Sequence, residues 1–411
     1  MSIIKPFRAL RPVREKAEQV SCVPYDVINP AELHALIENN PLSFLRVTRP
    51  EAEMDAPAET AETLALARQN LQKLIDEKVF VQEAEPALYV YRLSDGDRQM
   101  QTGVVACCSL DEYEKGFIKK HEKTREDKVQ DRTEHILALR AQTGLIFFTF
   151  RGSRAISDLI AETVKTEPLY DFGCPQQISN TIWKVSDQAA QADFISAFSE
   201  VPALYVADGH HRLEAAARAR HILRAENPNH TGAEDYNFVM AGIFPAEDLR
   251  ILPYNRVVRD LNGLDEEEFL QRVKENFVVR EAEKPTPENR NEFCMYLGKG
   301  RWRKLIFSVD FVRAPDPVDA LDVSILQNYI LKTILGIEDI RTDKRVDFVG
   351  GIRGTAELER LVDTGEFKIA FSLFPTTVED LFQVSDAGEI MPPKSTWFEP
   401  KLRDGLLIHL I

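Results

Sequence analysis

Apolar residues fall along this chain in two alternating rhythms. Short continuous or alternating runs read as strands: ALYVYRL at 87–93, TGVVACCSLDEY at 102–113, GLIFFTFRG at 144–152, ALYVAD at 203–208, YNFVMAGIFP at 236–245 and FKIAFSLFP at 367–375. SFLRVTRP at 43–50 reads as another short strand. Asp95-Gly96 is a hairpin signal, and EFCMYLGKGRWRKLIFSV at 292–309 is a hairpin about Gly-Lys-Gly. Between these lie stretches of helical spacing. One follows Asn29-Pro30, where asparagine caps and proline opens a helix. Others cover about 59–78 with Leu64, Leu71 and Leu74, then 153–166, 188–199, 212–226, 265–277, 321–336 behind the stop Gly336, and 378–388.

Strands interleaved with helices, some in hairpins, give an α/β or α+β fold of mixed sheets flanked by helices. At 411 residues the chain exceeds one compact core. The division falls at a domain of 1–230 and a mixed α/β portion of 231–411, with the polar stretches 51–57 and 225–236 as loops. Net charge is −15, which argues against nucleic acid and anionic lipid as partners. No window reaches the roughly 20 apolar residues of a membrane span, and the first residues lack a signal-peptide core. A cytoplasmic protein is expected. Five cysteines (Cys22, Cys107, Cys108, Cys174 and Cys294) form no CxxC pair, so buried thiols are expected rather than a disulfide frame or zinc knuckle.

The densest chemistry is Asp208-Gly209-His210-His211-Arg212, where an apolar strand gives way to an alanine-rich helix. A helix start offers unpaired N–H groups and a positive dipole end, a natural anion site. Gly209 permits close backbone approach. His210 and His211 can exchange protons or donate, Arg212 can fork onto phosphate, and Asp208 can hold a metal or act as base. The plainer reading has Asp208 capping the helix and the histidines in water.

Three further segments carry polar clusters. Lys119, Lys120, His121, Glu122, Lys123, Thr124 and Arg125 form a phosphate or acid/base loop, or a solvated helix start. Lys394-Ser395-Thr396 follows two stiffening prolines and suits phosphate, without P-loop spacing; the alternative is a rigid polar turn. Tyr25 and Asp26 stand on a turn fixed by Pro24, as a stacking site or a packed corner. Gly350-Gly351-Ile352-Arg353-Gly354 reads as a turn before an anion cradle. GxGxxG, GxSxG, HExxH and EF-hand patterns are absent.

FRALRP, VPYDVI, KKHEKT, VADGHHR, VDFVGG and the run PTTVEDLFQVSDAGEIMPPKSTWFEPK occur in order along nearly the whole chain. Together they resemble a bacterial and archaeal family filed as domain of unknown function ten-fifteen. The ADGHHR segment alone is similar to the DGHTR-type motif of free serine kinases in the ParB-like and sulfiredoxin-like group. That similarity implies a ParB/sulfiredoxin-like element here, with nucleotide phosphates held on the loop and helix start. Gly209, His210 and Arg212 match the motif, whereas His211 stands where those kinases carry threonine. Their catalytic glutamate lies outside the motif, and Glu122 takes that role here by chemistry rather than by match.

The expectation is a nucleotide-dependent phosphotransferase or phosphohydrolase acting on a small metabolite on a serine-kinase-like pattern, with Mg2+ and ATP or ADP. Asp208, His210 and Glu122 would be catalytic. Gly209, His211, Arg212, Lys119, His121, Lys394, Ser395, Thr396, Tyr25 and Asp26 would bind phosphate or ligand, with the four motif segments converging in one cleft. The alternative is a non-catalytic nucleotide- or metabolite-binding regulator.

Overall fold

In the computed structural model the chain is described over residues 2–54, 60–96, 99–173, 178–308 and 316–411. It forms two compact units. The first comprises 1–120, 124–249 and 400–411; the second comprises 121–123 and 250–399. The sequence pattern placed the division at 230/231. The units divide instead at 249/250, because the strand at 238–245 lies inside the first unit's sheet, and residues 400–411 return to that unit.

The strands of the first unit's main sheet are β1 (Ile4–Lys5), β2 (Leu88–Ser94), β3 (Met100–Ser109), β4 (Ile118–Lys119), β5 (Ile146–Phe150), β6 (Tyr170–Gly173), β7 (Ser179–Val185), β8 (Leu204–Asp208) and β9 (Phe238–Pro245). They form a nine-stranded mixed sheet in the order β4-β8-β5-β9-β3-β2-β7-β6, with β1 on β3. β8 runs parallel to β4 and β9 parallel to β5; the other pairs are antiparallel. β9, β5 and β3 are apolar on both faces because they sit in the middle of the sheet.

Among the helices of this unit are α1 (Pro30–Glu38), α2 (Leu45–Thr48), α3 (Thr60–Asp76), α4 (Glu126–Leu139), α5 (Arg154–Thr163), α6 (Gln188–Ser199) and α7 (His210–Glu226). Ile156 and Ile160 of α5, Phe194 and Phe198 of α6, and Val129 and Ile136 of α4 share one buried cluster with strand residues Val90, Val104, Phe148 and Phe150. A second cluster joins Val20, Phe44, Leu45, Val47, Leu71, Leu74, Phe80 and Ile408. α1 opens with a full capping box: Asn29 accepts from the Glu32 N–H, and Glu32 accepts from the Asn29 N–H.

The expected strand at 43–50 is the helix α2, followed by a 3-10 turn at Pro50–Glu53. β-branched Val47 and Thr48 favour strand, but Phe44, Leu45, Val47 and Thr48 are all buried. One helical turn lets Leu45 and Val47 join Leu71 and Leu74 of α3 in one cluster, and this packing overrides local propensity.

The second unit holds a six-stranded antiparallel sheet. Its strands are β10 (Tyr254–Val258), β11 (Phe277–Glu281), β12 (Glu292–Tyr296), β13 (Trp302–Phe307), β14 (Val346–Gly350) and β15 (Ile369–Leu373), in the order β11-β13-β12-β15-β10-β14. The Gly-Lys-Gly hairpin joins β12 to β13. The helix expected at 321–336 is α-helical over Asp322–Leu326 and π-helical over Gln327–Lys332, and Gly336 follows at φ 65°. Gly351–Arg353 is a 3-10 turn.

Among the described residues Cys22, Cys107, Cys108 and Cys294 are buried free thiols. Cys174 lies outside the described residues, as do 55–57 of the expected loop 51–57. No described helix is long and apolar enough to cross a membrane.

The centre of the first sheet is packed too closely to admit a methyl group at Gly103. A Cβ there would lie 2.5 Å from the Ile243 carbonyl oxygen and 2.6 Å from the Phe244 ring. Backbone in the sheet cannot withdraw, so Gly103→Ala should destabilise the protein by about 1–3 kcal/mol. Urea unfolding with an unchanged midpoint would show that β3 and β9 can part.

Candidate functional site

The Asp208–Arg212 segment is built as strand, turn and helix. β8 pairs with β5 until its register shifts between Val206 and Asp208, an irregularity that re-aims the strand end. Gly209 then takes φ 95°, and the 17-residue helix α7 begins at His210 with no side-chain cap. Asp208 therefore does not cap the helix in the usual way: its Oδ1 accepts from the Gly209 N–H at 3.0 Å. The other oxygen faces cations, with Lys401 Nζ at 3.3 Å and Arg212 Nη2 at 4.0 Å from Oδ2. Burial alone would raise the Asp208 pKa, but Lys401 and Arg212 outweigh it and hold the carboxyl well below its usual range. Its side chain keeps 28% of its surface exposed.

Arg212 is a buried strut. Its Nη1 donates to the Leu145 carbonyl at 2.7 Å and lies 3.9 Å from Asp404 Oδ1. Its guanidinium also fills the space beside Gly209, where a Cβ would meet Arg212 Nε at 3.2 Å. Asp404 is 3% exposed, and burial, the largest influence, pushes its carboxyl up to about 7 against the pull of Arg212. Arg212 Nε and Asp404 Oδ1 have no hydrogen-bond partner among the described residues. Both residues line a cavity of about 30 Å3 with Tyr25, Arg132, Gln142 and Thr143. That space suits an ordered water, which buried orphan polar atoms of this kind commonly hold.

The Pro24–Val27 turn meets the same cavity. The Arg132 guanidinium lies 4.4 Å from the Tyr25 ring centre, and the Tyr25 carbonyl accepts from Arg49 at 2.6 Å. Burial and Asp26 raise the Tyr25 phenol to about 12. Tyr25 is thus a packed corner, while Asp26 is exposed. His210 is buried, and His211 Nε2 accepts from the Arg125 N–H at 3.0 Å, which leaves that nitrogen unprotonated. Lys119, half-buried on β4, reaches over the Tyr205 ring of β8 at 5.8 Å.

The second unit gathers the other expected residues. His121 is buried, with Nε2 3.3 Å from Thr396 Oγ1, and its carbonyl accepts from Met391 at 2.8 Å. Glu122 is half-buried in the same unit. Ser395 is buried and donates to the Pro392 carbonyl at 2.6 Å, a turn-closing bond. Lys394 is exposed and adopts φ 58°.

Sequence reasoning missed Lys401, Arg403, Asp404 and Arg132 in the first unit and Arg256 in the second. A faint signal existed for the first three: Lys401-Leu402-Arg403-Asp404 sets three ionisable groups beside an apolar tail, a poor surface pattern. Arg132 and Arg256 gave none.

The family model described as "protein of unknown function (DUF1015)" matches residues 4–324. The chain belongs to this family. A search of curated proteins returned no match. Among solved structures, this DUF1015 chain is similar to a free serine kinase in complex with AMP, at 14% identity over 72% of this chain and 86% of that one, with a TM-score of 0.35. It is similar to a conserved hypothetical protein from Pyrococcus furiosus at 15% identity over 74% and 95%, TM-score 0.36. SbnI from Staphylococcus aureus, truncated at its C-terminus, gives 12% identity over 74% and 87%, TM-score 0.40.

Asp404 makes stability depend on pH. Its folded value of about 7 lies above an unfolded value of roughly 3.9. The stabilisation it provides is complete below the unfolded value and is lost as pH rises through 7. Asp404→Asn, which mimics the neutral acid, should melt higher than wild type at pH 8, by a margin that shrinks toward pH 5. A melting-temperature difference that is flat with pH, or reversed in sign at pH 8, would remove Asp404 from this role.

Proposed function

We propose that this protein is a nucleotide-dependent phosphotransferase or phosphohydrolase acting on a small metabolite that bears a hydroxyl, with phosphate held at the turn from β8 to α7. One observation carries the reading: a 17-residue helix opens on a left-handed Gly209 with no side-chain cap, beside a carboxylate kept ionised by Lys401 and Arg212. The backbone N–H groups of His210 and His211 would face phosphate oxygens, and Lys119 would add charge. Arg212 holds the turn from beneath. His210 lies at the helix start, where it could pass a proton.

Among the described residues no three His, Cys, Asp or Glu side chains gather as metal ligands. Magnesium carried in with the phosphates would be met by one carboxylate, Asp208. Bound there, magnesium would neutralise phosphate charge. ATP or ADP would be its partner.

The regulator reading has its own support. A carboxylate already matched by two cations is a weak proton acceptor. The two readings part in one experiment. AMP, ADP and ATP, with and without magnesium, are tested by thermal shift, and turnover is assayed with serine and other small alcohols. A ligand that binds the native state raises the melting temperature by mass action. Wild type should shift with nucleotide and turn over. Asp208→Asn should keep the AMP shift and lose turnover by about 100-fold or more. A shift without turnover in wild type would favour the regulator, and no shift with any nucleotide would defeat the phosphotransferase reading and the nucleotide form of the regulator.

A further inference from the structure

In the second unit the side chain of Arg256, on the inner strand β10, is 1% exposed. Among the described residues no carboxylate pairs with it. Its donors go to main-chain carbonyls: Nη1 to Tyr254, and Nη2 to Lys394 at 3.0 Å and Pro393 at 3.4 Å. Its guanidinium lies 4.7 Å from the Phe348 ring centre. Burial lowers its pKa from the usual guanidinium value, yet at neutral pH it remains a cation. A buried, unpaired charge is costly, so its retention here calls for a reason.

The geometry of the turn supplies one. Each trans peptide points its N–H opposite to its C=O. By drawing in the Lys394 carbonyl, Arg256 turns the Ser395 N–H the other way. Nothing among the described residues accepts from that N–H. Lys394 stands at φ 58°, in the left-handed region. Around it lie the exposed Lys394 ammonium, 5.6 Å from the Tyr254 ring centre, and the Thr396 hydroxyl beside His121. Trp397 packs over Gly350, where a Cβ would lie 2.7 Å from its ring, so the VDFVGG segment closes against this turn.

We propose that the Lys394–Thr396 turn is an oxyanion site for the carboxylate or phosphate of a small ligand, with Arg256 as the positioning residue that turns its N–H groups outward. The guanidinium cancels the carbonyl ends of these peptides and leaves their N–H ends dominant. Lys394 supplies the exposed cation, and the Thr396 hydroxyl supplies a further donor. This site lies wholly within the second unit and does not rest on the nucleotide reading of the first.

The test uses the full chain and two probes, inorganic phosphate and acetate, at constant ionic strength without nucleotide. Tryptophan fluorescence is the readout, with Trp397→Phe as the blank. Arg256 is left in place because its loss could unfold the sheet. Lys394 is exposed, and glycine accepts its backbone angle, so Lys394→Gly keeps the turn. The expected result is a saturable phosphate response that weakens about tenfold in Lys394→Gly and vanishes in Lys394→Glu. An equal response to acetate assigns the site to carboxylates as well; a response to phosphate alone assigns it to phosphate. No saturation up to roughly 50 mM, or equal affinity in Lys394→Glu, would overturn the proposal.

Discussion

The first unit depends on a chain of alternating basic and acidic groups, half-buried or buried: Lys401, Asp208, Arg212 and Asp404. Arg212 and Lys401 keep only 12% and 15% of their side chains exposed, so removing either cation would strand a carboxylate. The chain also explains why residues 400–411 belong to a unit whose other strands lie 150 residues or more earlier. Cys22 and Asp404 exchange main-chain hydrogen bonds, Leu10 pairs with Ile408, and His409–Leu410 pairs with Ala141–Gln142. Charge and backbone together tie the tail to the base of the Asp208 turn. The turn itself can then stay uncapped and open, because its rigidity comes from below.

The second unit meets a similar problem differently. Arg256 has carbonyl dipoles where Arg212 has carboxylates. Dipoles satisfy donors without cancelling a full charge, so the cation's field remains at the turn it holds. One arginine is neutralised in place and stiffens a loop, while the other is left electrically unbalanced and polarises one. The contrast is between two side chains of the same type, and it is set wholly by what surrounds them.

What could be read from the sequence follows from the range of the interactions. The Asn29 cap, the Gly-Lys-Gly hairpin and the strand–turn–helix around Gly209 are local, and each forms as its residues dictate. Leu45–Thr48 looked like strand because its local propensity is β, and burial against α3 decided otherwise. The 230/231 division failed to mark the units because a polar loop between elements need not separate cores; β9 beyond it still completes the first sheet. Arg132 and Arg256 stayed hidden because single ionisable residues carry no pattern until folding brings their partners near.

The same limit governs chemistry, not just fold. The motif Asp208-Gly209-His210-His211-Arg212 specifies which groups meet, but not the state in which they meet. Whether Asp208 is an acid, a base or a fixed negative charge is decided by Lys401, 193 residues away. Whether Arg212 reaches a ligand or props a loop is decided by the Leu145 carbonyl and Asp404. A short motif therefore specifies backbone geometry more securely than reactivity. Geometry is fixed by neighbours in sequence; protonation is fixed by neighbours in space. For this chain the helix start is set by the local sequence, while the charge that a ligand would meet there is set by residues far from it in sequence.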